Sequence, residues 1–189
     1  MKVHHLLSVV VVAACVANVA SAQTTLLGAE FRDGLTFTNT ARIFDVDPVT
    51  GAATNPRFTG SDVLADIAFG PDGLLYAFTD GIGVVNGVAA PSSLLTIDPA
   101  TGATTVVGSS GLLLSEGDLA FQPGTGTLFG ISTVNGVVDL ITFDTTTGAA
   151  SVVGTLAITG DGSGLAFDDA GQLFVLDTTV INPSTEAFL

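Results

Sequence analysis

Carboxylates are the main chemistry this sequence has to offer. Beyond residue 22 there is no His, Cys, Lys, Met or Trp, and Arg32, Arg42 and Arg57 stand against 18 Asp and Glu. Without imidazole, thiol or amine there is no Ser-His-Asp or Cys-His nucleophile, no Ser-Lys pair and no Schiff base. Zinc, copper and non-haem iron sites usually rely on imidazole or thiolate, so they are disfavoured too. What remains is paired acids for glycoside cleavage, or oxygen ligands for calcium. Asp62, Asp66, Glu116, Asp118 and Asp161 are the acids whose positions suggest convergence. The sharp expectation is a Ca²⁺ site on them, with Asp66 and Asp118 foremost. The plainer one is that they cap loops and solvate one face, because the third copy of the Asp66/Asp118 position is Gly164. No catalytic residue and no organic cofactor is expected.

Other candidates read as structure. Asp45/Asp47 and Asp168/Asp169 look like pieces of a calcium loop but lack D-x-[DN]-x-[DN]-G spacing, which points to turn chemistry. Thr159 to Gly164 is Gly-rich without a following helix or Lys, so it is a poor phosphate cradle. A sugar cleft would call for Trp or Tyr platforms, and Tyr76 is the single such residue. It occupies the place held by Phe129 and Phe174 in other repeats, which marks it, like the 12 Phe, as core.

The elements that must position these acids are repeated. An F-x-x-x-G-x-L-[YF] core occurs at Phe69–Tyr76, at Phe121–Phe129 with one extra turn residue, and at Phe167–Phe174. A second element recurs as Asp47-Pro-Val-Thr-Gly51, Asp98-Pro-Ala-Thr-Gly102 and Asp144-Thr-Thr-Thr-Gly148. Both recur in step at about 50 residues, the period of a four-stranded supersecondary unit. Each unit divides into strands A to D. Strand A is 67–69 and its copies. Strand B is 74–78, 127–132 and 172–176. Strand C is 94–97 and 140–143, and strand D is 104–107 and 151–153. Apolar residues alternate along strand C, Pro and Gly sit in the turns, and Asn86-Gly87 and Asn135-Gly136 add hairpin signals. No helical period is sustained beyond the N-terminal segment. The class is all-β.

A repeated four-stranded antiparallel unit of this length is the pattern of a β-propeller blade. The run L-[YF], then [LI]-T-[IF]-D-P-x-T-G, then T-x-V-V-G resembles the repeats of bacterial secreted propeller proteins, the NHL-like and quinoprotein-like group. The resemblance covers nearly all of residues 23–189 and implies the fold. For function it implies little, since that group includes lactonases, dehydrogenases, sensors and adhesive modules. The chain has no Trp, so the Trp docking motif of quinoproteins is missing. In such a propeller the short A–B and C–D turns share one face. The long D–A and B–C loops, where binding residues tend to sit, share the other.

The ends set the domain expectations. Residues 1–22 read as a signal peptide: Lys2, an apolar stretch from Leu6 to Ala17, and Ala20-Ser21-Ala22 as the cleavage site. The stretch is shorter than the roughly 20 residues a membrane span needs. Val12-Ala13-Ala14-Cys15 also resembles a lipobox, which makes a lipid anchor through Cys15 the minor alternative to a secreted, extracellular or periplasmic protein. Residues 23–189 then form one propeller-like repeat domain with units at about 23–60, 61–108, 109–154 and an incomplete 155–189. The first unit begins at strand B, and Glu186–Leu189 stops inside strand C. The expectation is therefore a fragment of a longer propeller or an irregular four-bladed ring. A formal charge of −14 repels nucleic acid and anionic lipid. The functional expectation is a non-catalytic secreted or cell-surface module for binding or display, with an extracellular protein or glycan as partner and self-association through uncovered end blades. The alternatives are a Ca-dependent lactonase-like hydrolase and a truncated gene product without independent function.

Overall fold

A computed structural model describes residues 10–14, 26–30, 41–60, 64–79, 91–115, 117–134, 137–158 and 161–178. The described elements are all strands. The first sheet is β1 (Val10–Ala14), β2 (Leu26–Glu30), β3 (Arg42–Val46) and β4 (Ala53–Phe58). The second is β5 (Leu64–Phe69), β6 (Leu75–Thr79), β7 (Ser93–Ile97) and β8 (Thr104–Ser109). The third is β9 (Gly117–Phe121), β10 (Leu128–Val134), β11 (Val137–Phe143) and β12 (Ala150–Thr155), and β13 (Asp161–Phe167) with β14 (Leu173–Thr178) begins a fourth. Each four-stranded sheet is an antiparallel meander in sequence order. The first strands, β1, β5, β9 and β13, pack side by side along the array. This is an all-β, propeller-like arrangement of blades.

Two details differ from the sequence reading. Val10–Ala14, within the segment read as a signal peptide, pairs antiparallel with Leu26–Glu30 in the place of a strand A. A short run of valines and alanines fits an inner strand as well as an apolar leader, and composition cannot separate the two. Strand A of the second blade starts at Leu64 rather than 67 and strand D runs on to Ser109, because both cross a β-bulge. Bulges recur at the same place in all three D strands, between Ile43/Asp45, Leu94/Leu95 and Leu140/Ile141 of the paired C strands. A bulge increases local twist, which carries an outer strand away from the direction of its inner one.

Alternation decides which neighbour each side chain meets. Leu27, Ala29 and Ile43 of the first blade pack on Ile67, Leu75, Ala77, Leu95 and Ile97 of the second. Tyr76, Phe78 and Leu94 then pack on Leu119, Leu128, Ile141 and Phe143 of the third. Ile131 and Val138 of the third meet Leu165, Leu173 and Val175 of the fourth. The repeat aromatics pair across these seams: Tyr76 on Phe121 at 5.2 Å and Phe129 on Phe167 at 5.4 Å between ring centres. The Phe and [YF] of one motif copy are therefore partners of the neighbouring copies.

The outer strands run nose to tail. Thr104 Oγ1 donates to the Thr59 carbonyl across the first seam, and Ala150 N–H to the Ser110 carbonyl across the next. The Thr-Gly of each C–D turn lies in this belt. Gly51, Gly102 and Gly148 all have positive φ, at 72°, 78° and 79°. A Cβ on Gly102 would lie 2.9 Å from the Phe58 carbonyl oxygen, and one on Gly148 2.5 Å from that of Gly108. Gly51, in the first described blade, has open space. Gly51→Ala should therefore cost about 1 kcal/mol for the left-handed backbone alone. Gly148→Ala should cost a further 1–3 kcal/mol or so from overpacking the seam. Urea unfolding of both variants measures the difference, and equal losses would remove the seam from the explanation.

Candidate functional site

Asp66 and Asp118 occupy the same repeat position on the adjacent inner strands β5 and β9. The Asp66 side chain is fully buried. Its Oδ2 accepts from the Leu119 N–H at 2.7 Å, so a carboxylate of one blade binds the backbone of the next. Asp118 repeats the move: its Oδ2 accepts from the Leu165 N–H of β13, while its Oδ1 takes its neighbour Leu119 N–H at 2.8 Å. The result is a ladder linking three inner strands.

The other Asp66 oxygen, Oδ1, is buried without a hydrogen-bond partner. Burial holds the Asp66 pKa well above the usual carboxylate range, and the neighbouring Asp118 adds to it. The neutral form of Asp66 is thereby favoured over the charged one. Gly164 ends the series for a steric reason. A Cβ there would sit 3.0 Å from Leu176 Cβ and 3.9 Å from Asp118 Oδ2, so a third acid would crowd one and repel the other.

These contacts bear directly on the calcium expectation. Asp66 and Asp118 do come together, yet Asp66 Oδ2 and both Asp118 oxygens are engaged by backbone N–H groups. Among the described residues no three His, Cys, Asp or Glu side chains cluster. Asp62 and Glu116 lie outside the described residues, and Asp161 opens β13 with its side chain likewise undescribed. The acids expected in turns are there. Asp47 Oδ1 accepts from Val49 and Thr50, Asp98 from Ala100, Asp144 from Thr146 and Thr147, and Asp168 from the Gln172 N–H. Those backbone donors hold Asp47, Asp98 and Asp144 below the ordinary carboxylate range. Asp45 is instead held low by Arg57, whose Nη2 lies 2.7 Å from its Oδ1. Tyr76 is core, as its repeat position implied. It is 6% exposed, and its hydroxyl donates to Asp72 at 2.8 Å. Burial and that carboxylate push its pKa up to about 12.

The long-loop face carries features the sequence did not advertise. Ser92, at the end of the B–C loop, is fully buried and ties the D–A loop down. Its hydroxyl donates to the Leu114 carbonyl and accepts from the Leu114 N–H, while its backbone bonds Ser110 and Leu112. Ser132 holds Ser115 in the same two-way manner. A Ser-rich loop reads as solvent-facing; its burial becomes visible only once the facing strand ends are placed. The D–A and B–C segments thus share a face, as expected. The A–B turns share the opposite one, with Gln122 Nε2 donating to the Gly171 carbonyl at 3.5 Å. Beside the pinned loop, Leu112–Leu114 and Ser132, Asp139, Ile141 and Val152 line an open cleft of about 160 Å³. Leu113 at its rim is 45% exposed.

No family model matches the chain, and no curated protein does. Among solved structures 47 chains match. One is the X-ray structure of a "putative gluconolactonase", with 17% identity and a TM-score of 0.49 over 80% of this chain and 53% of that one. The present chain thus spans about half the length of that protein. The architecture assigned here rests on the sheets themselves.

The raised Asp66 pKa has a measurable consequence. The folded chain holds that carboxyl's proton more tightly than the unfolded chain, whose carboxyls titrate near 3.9 or so. Between that value and the raised one the folded state binds more protons, so stability falls as pH rises, by up to about 1.4 kcal/mol per unit. The acids with lowered pKa act in the opposite direction, but only as pH drops below roughly 4, where they take up protons. Asp66→Asn keeps a donor toward Asp118 and an acceptor for Leu119 without the titration. As pH rises above about 4 the wild-type Tm should decline while that of Asp66→Asn stays nearly level. Parallel curves for the two proteins would contradict a raised Asp66 pKa.

Proposed function

We propose that the chain is a non-catalytic secreted or cell-surface module for binding or display, whose contact surface is the face of the D–A and B–C loops. The observation that supports this most is the use made of the two best-placed acids. Catalysis by a carboxylate pair needs oxygens free to meet a substrate or a metal-bound water. Asp66 is buried and Asp118 is bonded to two backbone amides, so both hold blades together. The loop face has the opposite character: loops anchored by buried serines, a shallow cleft, and Leu113 at its rim. A rigid scaffold presenting variable loops is a common basis for recognition. An extracellular protein or glycan suits a strongly acidic chain better than a polyanion does.

The rival is a calcium-dependent hydrolase, and two readouts separate them. Calcium up to about 1 mM, the weak end for extracellular modules, should leave Tm unchanged in wild type and in Asp66→Asn/Asp118→Asn alike. Aldonolactone hydrolysis should stay at the buffer rate. Calcium-dependent turnover that disappears in Asp118→Asn would replace the binding role with an enzymatic one. On a glycan array, retention of the wild-type chain but not of a Leu113→Asp variant would support recognition through the loop face.

A further inference from the structure

The seams between blades are not built alike, and the first departs from the later ones at both ends. At the inner end, Ala29 pairs with Ile43 and Ile131 with Leu140, each four residues before the Asp of its C–D turn. Val11 pairs with Ala29 as Asp118 pairs with Ile131, so Val11 holds the ladder position in the first blade. A valine has no carboxylate to offer the next blade. The ladder therefore joins the second blade to the third and the third to the fourth, with no counterpart at the first seam among the described residues. β1 also lies against β5 less extensively than β5 against β9 or β9 against β13.

At the outer end a large side chain stands where the repeat has glycine. Arg57 follows Gly51 by six residues, as Gly108 follows Gly102 and Gly154 follows Gly148. At the second seam Gly108 lets two backbones touch. A Cβ there would run into the Thr147 carbonyl, and the Ala150 N–H donates to the Ser110 carbonyl at 2.9 Å. At the first seam Arg57 comes between, with its Cβ 2.9 Å from where one on Gly102 would be. The matching bond is made there by a side chain, the Thr104 hydroxyl donating to the Thr59 carbonyl. Arg57 is 8% exposed, and a buried guanidinium is costly unless its charge and donors are matched. The match comes from residues that the second and third blades lack. Asp45 and Asn55 stand where those blades have Thr96 and Thr142, and Val106 and Val152. Arg57 Nη2 donates to Asp45 Oδ1 at 2.7 Å and Nη1 to the Asn55 carbonyl at 2.9 Å, while Asn55 Nδ2 braces the other Asp45 oxygen at 3.0 Å. Asn55 takes a left-handed φ of 52° in this arrangement, and Arg57 Nε stays buried with no hydrogen-bond partner.

We propose that Asp45 and Arg57 form an ionic latch on the first seam, and that its release lets the first blade open while the other seams stay shut. With the pair intact, the Arg57 stem packs on Gly102 and its charge is met at Asp45. With Asp45 neutralised, the guanidinium is left buried without a counter-charge and is driven toward water, taking its stem off the seam. The second seam has no such dependence, because glycine contact, a backbone hydrogen bond and the Asp66 bond to Leu119 hold it. Apolar packing of Leu27, Ala29 and Ile43 on Leu75, Leu95 and Ile97 is what the latch keeps closed. A blade freed from that packing has little left to bury and unfolds locally, ahead of the rest of the array.

Native-state hydrogen exchange of the full chain, resolved by segment, tests this. In the wild-type chain residues 41–58 should exchange through an opening that leaves residues 137–155 protected. Asp45→Asn keeps the shape of the side chain and removes its charge. It should speed exchange in 41–58 at least about 10-fold and leave 137–155 unchanged. Asp45→Thr with Arg57→Gly gives the first seam the residues of the second, so exchange in 41–58 should return to the wild-type rate or below it. Wild-type segments that exchange together, as one cooperative unit, would overturn the proposal. So would an Asp45→Asn variant that speeds both segments equally, or neither. A double variant as fast as Asp45→Asn would also overturn it, because the stranded guanidinium would then not be the cause.

Discussion

A backbone amide on an inner strand of one blade donates to a carboxylate carried by the blade before it. That hydrogen bond, made twice in register, is what the other contacts depend on. Inner strands of neighbouring blades are not paired as a sheet; the contacts between them are side-chain contacts. Their amides still need partners once buried, at a cost of about 1–3 kcal/mol for each one left unmatched. Asp66 satisfies Leu119 and Asp118 satisfies Leu165, and in doing so they fix the spacing between blades. Burying Asp66 beside another acid disfavours its charged form. The pair is a joint made from the residues that looked most like a cation site.

Around this joint the remaining seam contacts follow the same period. Tyr76 and Phe129 of the L-[YF] position meet the Phe of the next copy, and Gly102 and Gly148 of the C–D turns give room to the backbone of the preceding outer strand. Apolar burial gives the array most of its cohesion, and the carboxylate and glycine positions fix its register. Among the described residues of the D–A and B–C segments, buried serines tie the backbone down and Leu112, Leu114, Leu156 and Ile158 pack on the seams.

Much of this was legible in the sequence because a repeat is read against itself. The strands, the turns with their Asp caps, the core role of Tyr76 and the two-faced loop arrangement all follow from comparing copies. What was hidden has a common physical cause. Asp66 and Asp118 were recognised as special, but their partners are main-chain amides 53 and 47 residues away, which no side-chain motif encodes. The apolar stretch at Val10–Ala14 satisfies the pattern of a leader and of an inner strand equally. Ser92 looks like a loop residue until the facing loop brings unpaired backbone groups to it. Gly102 and Gly148 showed their turn role in sequence, while their second role, yielding space to a neighbouring blade, needed the seam.

The central claim, that carboxylate-to-amide bonds couple the blades, is most directly tested by hydrogen exchange at the Leu119 and Leu165 amides. Both should exchange only on global unfolding in the wild-type chain. In Asp118→Ala the Leu165 amide should exchange at least about 10-fold faster, equivalent to roughly 1.4 kcal/mol, while Leu119 stays protected by Asp66. If the Leu165 amide exchanges at the wild-type rate in that variant, the ladder does not couple the blades and the account fails.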